Sequence, residues 1–240
     1  MAEIYQWNWL DKETTHSTNE DAVALSNTQT TGRFIISSKE QTKGRGRRGR
    51  TWISLEGNLF FSQGLVFNIS YIGQLIALST LSLYETIKTM LQPTHQVSLK
   101  WPNDILIDNQ KVSGMLLEKG YNGYIIIGIG VNIKQAPSSP QMLYPVTSLA
   151  ANGIDIDRLA FLRSYITNFD KNEQSWQIHG FNEIKQKWLE AVQGLNTQIS
   201  VHTDREELIG IFKGIGDDGE LLLETTENLR HIYAGDVFYI

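Results

Sequence analysis

The sequence predicts an α+β fold: a mixed strand-and-helix part over residues 1–193, then a small all-β part over residues 194–240. Two observations carry this. Short β-type runs are interleaved with longer segments of helical spacing up to about residue 192, and beyond Gly194 only short strand candidates remain. At 240 residues, with 41% hydrophobic and 20% charged side chains, the chain can bury one substantial core and carry a small second domain.

The elements follow in order. Residues 7–10 read as a short strand, and Ser17 or Thr18 as the cap of a helix over 19–26, with Glu20 and Asp21 in its first turn. Residues 33–38 (RFIISS) form a strand leading into a basic loop. Residues 58–69 are β-rich, and Gly64 suggests a bulge or a close approach. Apolar spacing predicts a helix over 75–91, ended before Pro93. Strands follow at 97–101, 105–107 and 112–118, the last two joined by a tight turn at Asp108-Asn109-Gln110. The run YIIIGIGVNI at 124–133 reads as a fully buried strand. Residues 136–145 form a Pro- and Ser-rich loop, and helices are predicted at about 157–177 and 181–192. Strand candidates at 198–202, 208–215, 220–225, 229–233 and 237–240, with a Gly216-Asp217-Asp218-Gly219 hairpin signal, match an SH3-like barrel in length and spacing.

Several function classes are excluded early. There is no cysteine, so disulfides, thiolate metal sites and thiol nucleophiles are absent. The N-terminus lacks the pattern of a secretory signal, and no apolar stretch suits a membrane span, so a cytoplasmic location is expected. His-Glu-x-x-His, Walker and G-x-S-x-G motifs are missing. Gly128-Ile129-Gly130 is too short for a dinucleotide fingerprint, and no helix follows it.

The densest charge is the loop Lys43-Gly44-Arg45-Gly46-Arg47-Arg48-Gly49-Arg50. It holds five of the 21 Lys+Arg and three of the 20 glycines. The net charge is −5, so the remainder of the chain carries −10. That balance argues against sequence-independent DNA binding, which scales with phosphates neutralised. Glycine gives close backbone approach and arginine a planar fork of donors, so the loop is suited to closing around a small polyanion. A solvated loop or an RNA-binding patch is the plainer alternative. Trp52 follows, an aromatic able to cover a planar group.

Three further stretches draw attention. In Lys100-Trp101-Pro102-Asn103-Asp104, proline ends a strand and presents Asn103 and Asp104 at a turn; ordinary turn chemistry explains this equally well. Lys111 and Gly114 lie in Lys-Val-Ser-Gly-Met-Leu-Leu-Glu beside the buried strand 124–133, whose glycines would let a ligand lie flat. His16-Ser17-Thr18-Asn19 is either a plain helix cap or a set of N–H groups and hydroxyls that hold a polar ligand.

Taken together and in this order, Ser17-Thr18-Asn19, Gln41, the G-R-G-R-R-G-R loop with Trp52, K-W-P-N-D, Lys111-Val-Ser-Gly114 and Gly128-Ile-Gly130-Val-Asn132 resemble the biotin protein ligases over essentially the whole chain. The resemblance implies a class II aminoacyl-tRNA-synthetase-like catalytic domain (1–193) followed by an SH3-like domain (194–240). It implies activation of biotin by ATP and Mg²⁺ to biotinyl-5′-AMP, then transfer to a lysine of the biotin carboxyl carrier protein of acetyl-CoA carboxylase. By that resemblance Lys111 is the cation between biotin carboxylate and α-phosphate, and Arg47 is the catalytic arginine of the loop. Ser17, Thr18, Asn19, Gln41, Gly44, Arg45, Gly114, Leu116, Gly128 and Gly130 are expected around biotin. Arg45, Arg47, Arg48, Arg50, Trp52, Asn103 and Asn132 fall on the adenylate side, and Asp104 is a candidate Mg²⁺ ligand. A mixed anhydride hydrolyses in water, so loop closure would protect it.

Some family members carry an N-terminal helix-turn-helix repressor domain of about sixty residues. Here the ligase pattern starts within the first twenty residues, so no repressor activity and no DNA partner are expected. Family members also dimerise by extending a sheet edge, and nothing in the sequence marks a strand for it. The competing functions are a lipoate–protein ligase of the same superfamily, a non-catalytic biotin- or nucleotide-binding module, and an RNA-binding protein.

Overall fold

Strict alternation along one buried strand sorts the first part of the chain into two faces. The computed structural model describes residues 6–68, 72–138 and 144–240. All eight residues of β7 (Tyr124–Val131) are buried. Successive strand side chains point to opposite faces. Ile125, Ile127, Ile129 and Val131 therefore enter a large core, while Tyr124 and Ile126 enter a smaller one with Ala22, Phe34 and Ile36. Each fully buried isoleucine contributes about 1.5–3 kcal/mol relative to exposure.

Seven strands form the main sheet: β1 (Trp7–Thr15), β2 (Arg33–Gln41), β3 (Leu59–Val66), β4 (Val97–Lys100), β5 (Asp104–Ile107), β6 (Gln110–Lys119) and β7. Their spatial order is β1-β2-β3-β7-β6-β5-β4. Only β1 and β2 are parallel, joined by the crossover helix α1 (Thr18–Thr28); the other pairs are antiparallel. The small core lies under α1. Helices α2 (Ile72–Met90), α3 (Arg158–His179) and α4 (Phe181–Ala191) cover the other face.

The second sheet is antiparallel, with β8 (Gln198–His202), β9 (Glu207–Ile215), β10 (Leu221–Glu224), β11 (Leu229–Ile232) and β12 (Asp236–Tyr239) in the order β11-β10-β9-β8-β12. No pairing of β11 with β12 closes it, so the expected barrel is an open five-stranded sheet among the described residues. It docks on the first part through its hairpin. A Cβ on Gly73, at the start of α2, would lie 1.8 Å from the Asp218 carbonyl oxygen. Gln74 Nε2 donates to the Asp217 carbonyl (2.8 Å) and Trp101 Nε1 to that of Gly219 (3.3 Å).

Most predicted elements are present with shifted ends. β1 and β2 run well past residues 10 and 38, because each supplies the other with a parallel ladder that neither run announces alone. α2 begins at Ile72, three residues before the predicted start. Asp108 and Asn109 both have positive φ, which makes the predicted turn a two-residue hairpin. Gly64 is a close approach, since a Cβ there would lie 2.2 Å from the Phe34 ring. Residue 69, the last of the predicted strand 58–69, and part of the loop 136–145 lie outside the described residues. Among the described residues no helix is long and apolar enough to cross a membrane.

Candidate active site

The small-core face of the sheet runs out of large side chains where α1 no longer covers it. After Tyr124 and Ile126, that face of β7 continues with Gly128 and Gly130. The register sets Gly130 between Phe60 and Gly114, with Asp104 next across, and sets Gly128 between Ser62 and Leu116. Glycine in neighbouring strands leaves a trough. The basic loop, the K-W-P-N-D turn and β12 wall it into a cavity of about 480 Å³.

Sequence positions far apart converge there. Ser17, Thr18, Asn19, Gln41, Arg45, Arg47, Arg50, Trp52, Asn103, Asp104, Lys111, Gly114, Leu116, Gly128, Gly130 and Asn132 all line the cavity. Gly44 and Arg48 do not. Gly44 sits where the loop's two arms touch, since a Cβ there would be 2.4 Å from the Trp52 carbonyl oxygen. Arg48 points away, to the Asp204 and Asp236 carboxylates and the His202 carbonyl.

One end is a polar network. Ser17 is the N-cap of α1 but makes no side-chain capping bond. Instead the Thr18 N–H and hydroxyl both donate to Gln41 Oε1 (2.8 and 3.1 Å). Ser62, which sequence reading passed over, places its hydroxyl 2.8 Å from Thr18 Oγ1 and 2.5 Å from Asn19 Oδ1. The glycines are not bare. A Cβ on Gly128 would collide with the Asn19 carboxamide at 1.8 Å, and one on Gly130 with the Trp52 indole at 2.3 Å. Protein side chains, rather than an open slot, therefore lie flat on the strand here.

The other end is cationic. Lys111 Nζ lies 2.7 Å from Asp104 Oδ1 and 5.6 Å from the Trp52 ring centre. Lys111 is held at its backbone by the following loop, donating to the Pro145 carbonyl and accepting from the Thr147 N–H. Arg47 donates to Asn103 Oδ1 (3.2 Å) and the Gly235 carbonyl (3.3 Å). Burial holds the Arg47 guanidinium below its ordinary pKa, against the opposing charges of Asp236 and Asp104. Arg50 donates to both oxygens of Asp236 (2.7 and 2.9 Å). Burial alone would raise the Asp236 carboxyl, but the hydrogen bonds from Arg50 and Arg48 outweigh it and the pKa is lowered.

Lys100, to which the sequence motif gives no role, also lines the cavity. Its ammonium lies 3.4 Å from the Tyr144 ring centre, with the Tyr239 and Phe238 rings at 5.5 and 5.8 Å. Burial lowers its pKa to about 8, with Asp104 opposing and Lys111 adding to the shift. Asp236 had no signal near the loop in sequence, being 186 residues from Arg50 and on the other sheet.

Trp52 Nε1 and Asn132 Oδ1, buried polar atoms of the cavity wall, have no hydrogen-bond partner among the described residues. They are a donor and an acceptor that a ligand would satisfy. Asp104, the candidate Mg²⁺ ligand, pairs through Oδ1 with Lys111, and no group of three His, Asp or Glu placed to hold a metal occurs among the described residues.

The model of the biotin/lipoate A/B protein ligase family matches residues 11–132, and that of the biotin protein ligase C-terminal domain matches residues 194–239. The biotin–[acetyl-CoA-carboxylase] ligase of Paracoccus denitrificans is 32% identical over 237 residues, covering 94% of this chain and 98% of that one. The chain belongs to the biotin protein ligase family. The bifunctional ligase/repressor BirA of Bacillus subtilis is 33% identical to this ligase over 231 residues, 92% of this chain and 70% of the relative. The biotin protein ligase from Aquifex aeolicus in complex with biotin and ATP superposes with a TM-score of 0.82 at 29% identity, over 96% of this ligase and 97% of that chain.

Proposed function

We propose that this cavity joins biotin to ATP and passes the biotinyl group to a lysine of the carboxyl carrier domain of acetyl-CoA carboxylase, in the cytoplasm. The single observation that carries the reading is convergence. A polar network at one end and Lys111, Arg47 and Arg50 at the other share one cavity of about 480 Å³, large enough for an adenylate. Residues 1–193 form the catalytic unit and 194–240 the small domain whose Asp236 holds the loop.

The first step brings two anions together. A biotin carboxylate oxygen bonds to the α-phosphorus, the bond to the β-phosphate oxygen breaks, and pyrophosphate leaves with the electron pair. Lys111 and Arg47 offset the charge that accumulates at the phosphorus. Trp52 and Asn132 meet the adenylate. In the second step a neutral lysine amine attacks the acyl carbon, the bond to AMP breaks, and the amine gives up its proton. Mg²⁺ arrives as the counter-ion of the ATP phosphates, and no side chain is assigned to it.

Biotin is favoured over lipoate by the polar end. A ureido group has two N–H donors and a carbonyl to match the polar atoms of Ser17, Thr18, Asn19 and Gln41, whereas a dithiolane offers neither. Mass spectrometry of the carrier domain incubated with the protein, ATP, Mg²⁺ and biotin tests the proposal. One biotinyl group on one lysine is expected; an unmodified carrier would overturn it.

A further inference from the structure

Glu118 has no part in the reaction as described, yet it is where the loop meets the sheet. It stands on the same face of β6 as Gly114 and Leu116, in a cross-strand row with Ile126, Gly64 and Phe34. A carboxylate in that apolar row needs partners, and it has two. Glu118 Oε2 accepts from Arg45 Nη2 at 2.6 Å and from Asn19 Nδ2 at 2.8 Å. Glu20 is the other carboxylate near Arg45, but its Oε1 is 3.7 Å from Arg45 Nε and its side chain is half exposed.

We propose that Glu118 is a positioning residue: a latch that holds the basic loop by Arg45 and joins that hold to the polar end of the cavity. The connection is continuous. From Arg45 it runs through Glu118 to Asn19, from Asn19 Oδ1 to Ser62, then to Thr18 and to Gln41. Gln41 ends β2, four residues before Arg45, so the network leaves the chain at the root of the loop and returns to it at the loop's first arginine. A group bound at the polar end orients Asn19, and Asn19 orients the carboxylate that Arg45 grips. Opening the loop would strip Glu118 of its cation. The charge-assisted bond is the stronger kind, so its loss should be felt in loop dynamics.

The coupling to biotin rests on the function proposed above, whereas the latch itself does not. The loop contains five Lys and Arg peptide bonds, so trypsin reports its opening directly. The intact protein would be digested with and without biotin, with cuts at residues 43–50 followed by mass spectrometry. Biotinyl-5′-AMP release would be followed by tryptophan fluorescence. Glu118→Gln keeps the shape and removes the charge. It is expected to speed loop cleavage of the ligand-free protein and release of the intermediate, each about tenfold, the equivalent of one charge-assisted hydrogen bond. Glu118→Asp should recover part of both effects, and Glu20→Gln should match the parent. Loop cleavage and release unchanged in Glu118→Gln at unchanged thermal stability would overturn the latch. Equal effects of Glu20→Gln would overturn the assignment to Glu118. If biotin gave the parent no protection while the ligand-free variants still differed, the latch would stand and the biotin reading and its coupling would fall.

Discussion

Lys111 Nζ sits 2.7 Å from Asp104 Oδ1, above Gly114, where a Cβ would stand 2.9 Å from that nitrogen. The missing side chain at residue 114 is what lets the pair form, because the register places Gly114 opposite Asp104. The carboxylate aims the lysine without an intervening group. Replacing Lys111 by Ala should lower biotin-dependent ATP–pyrophosphate exchange by about 10²–10³, the cost of losing one preorganised charge donor. Circular dichroism should stay that of the parent, since Lys111 is not a core residue.

Gly130→Ala places a methyl 2.3 Å from the Trp52 indole, which must move off the strand. If Trp52 covers the adenylate, the loss is that of one aromatic–base stack, about 1–3 kcal/mol. KM for ATP should rise by roughly five- to a hundredfold, with a smaller change in KM for biotin. Steady-state kinetics against each substrate checks the split.

Lys100 carries a pH dependence of defined sign. Burial lowers its pKa from 10.5 to about 8, so between those values the unfolded chain binds more protons than the folded one. Stability contributed at this position therefore rises as pH increases through that window, and at neutral pH the buried charge is a cost. Lys100→Met keeps the apolar stem and removes the titration. The melting temperature of the variant minus that of the parent should fall as pH rises from 7 to 10. A difference independent of pH would show that Lys100 titrates normally.

Gly73→Ala tests how the second sheet is attached. Its methyl would fall 1.8 Å from the Asp218 carbonyl oxygen, a backbone atom that cannot turn aside. Overpacking of this kind costs about 1–3 kcal/mol. Because β12 carries Asp236, shifting the sheet also loosens Arg50 and Arg48. A lower melting temperature together with a higher KM for ATP is expected, from thermal denaturation and kinetics on the same variant.

Much of the fold was legible because its signals are local. The continuous apolar run of residues 124–133, the Asp108-Asn109 turn and the five short terminal strands each follow from neighbours in sequence. The length of β1 and the open second sheet depend on pairing between distant segments, which no local pattern encodes. The site divides the same way. Lys111, Arg47 and Gln41 sit in motifs, whereas Asp236 reaches the loop from the other sheet and Lys100 gains its aromatic surroundings only on folding. Glu118 had a usable signal: it follows Gly114 and Leu116 at a spacing of two.

Biotin-dependent exchange of labelled pyrophosphate into ATP, measured on the purified protein, addresses the central claim most directly. Exchange that saturates with biotin, is far weaker with lipoate, and is lost in Lys111→Ala is the expected result. No exchange with biotin, or equal exchange with lipoate, would contradict the assignment of this cavity to biotin activation.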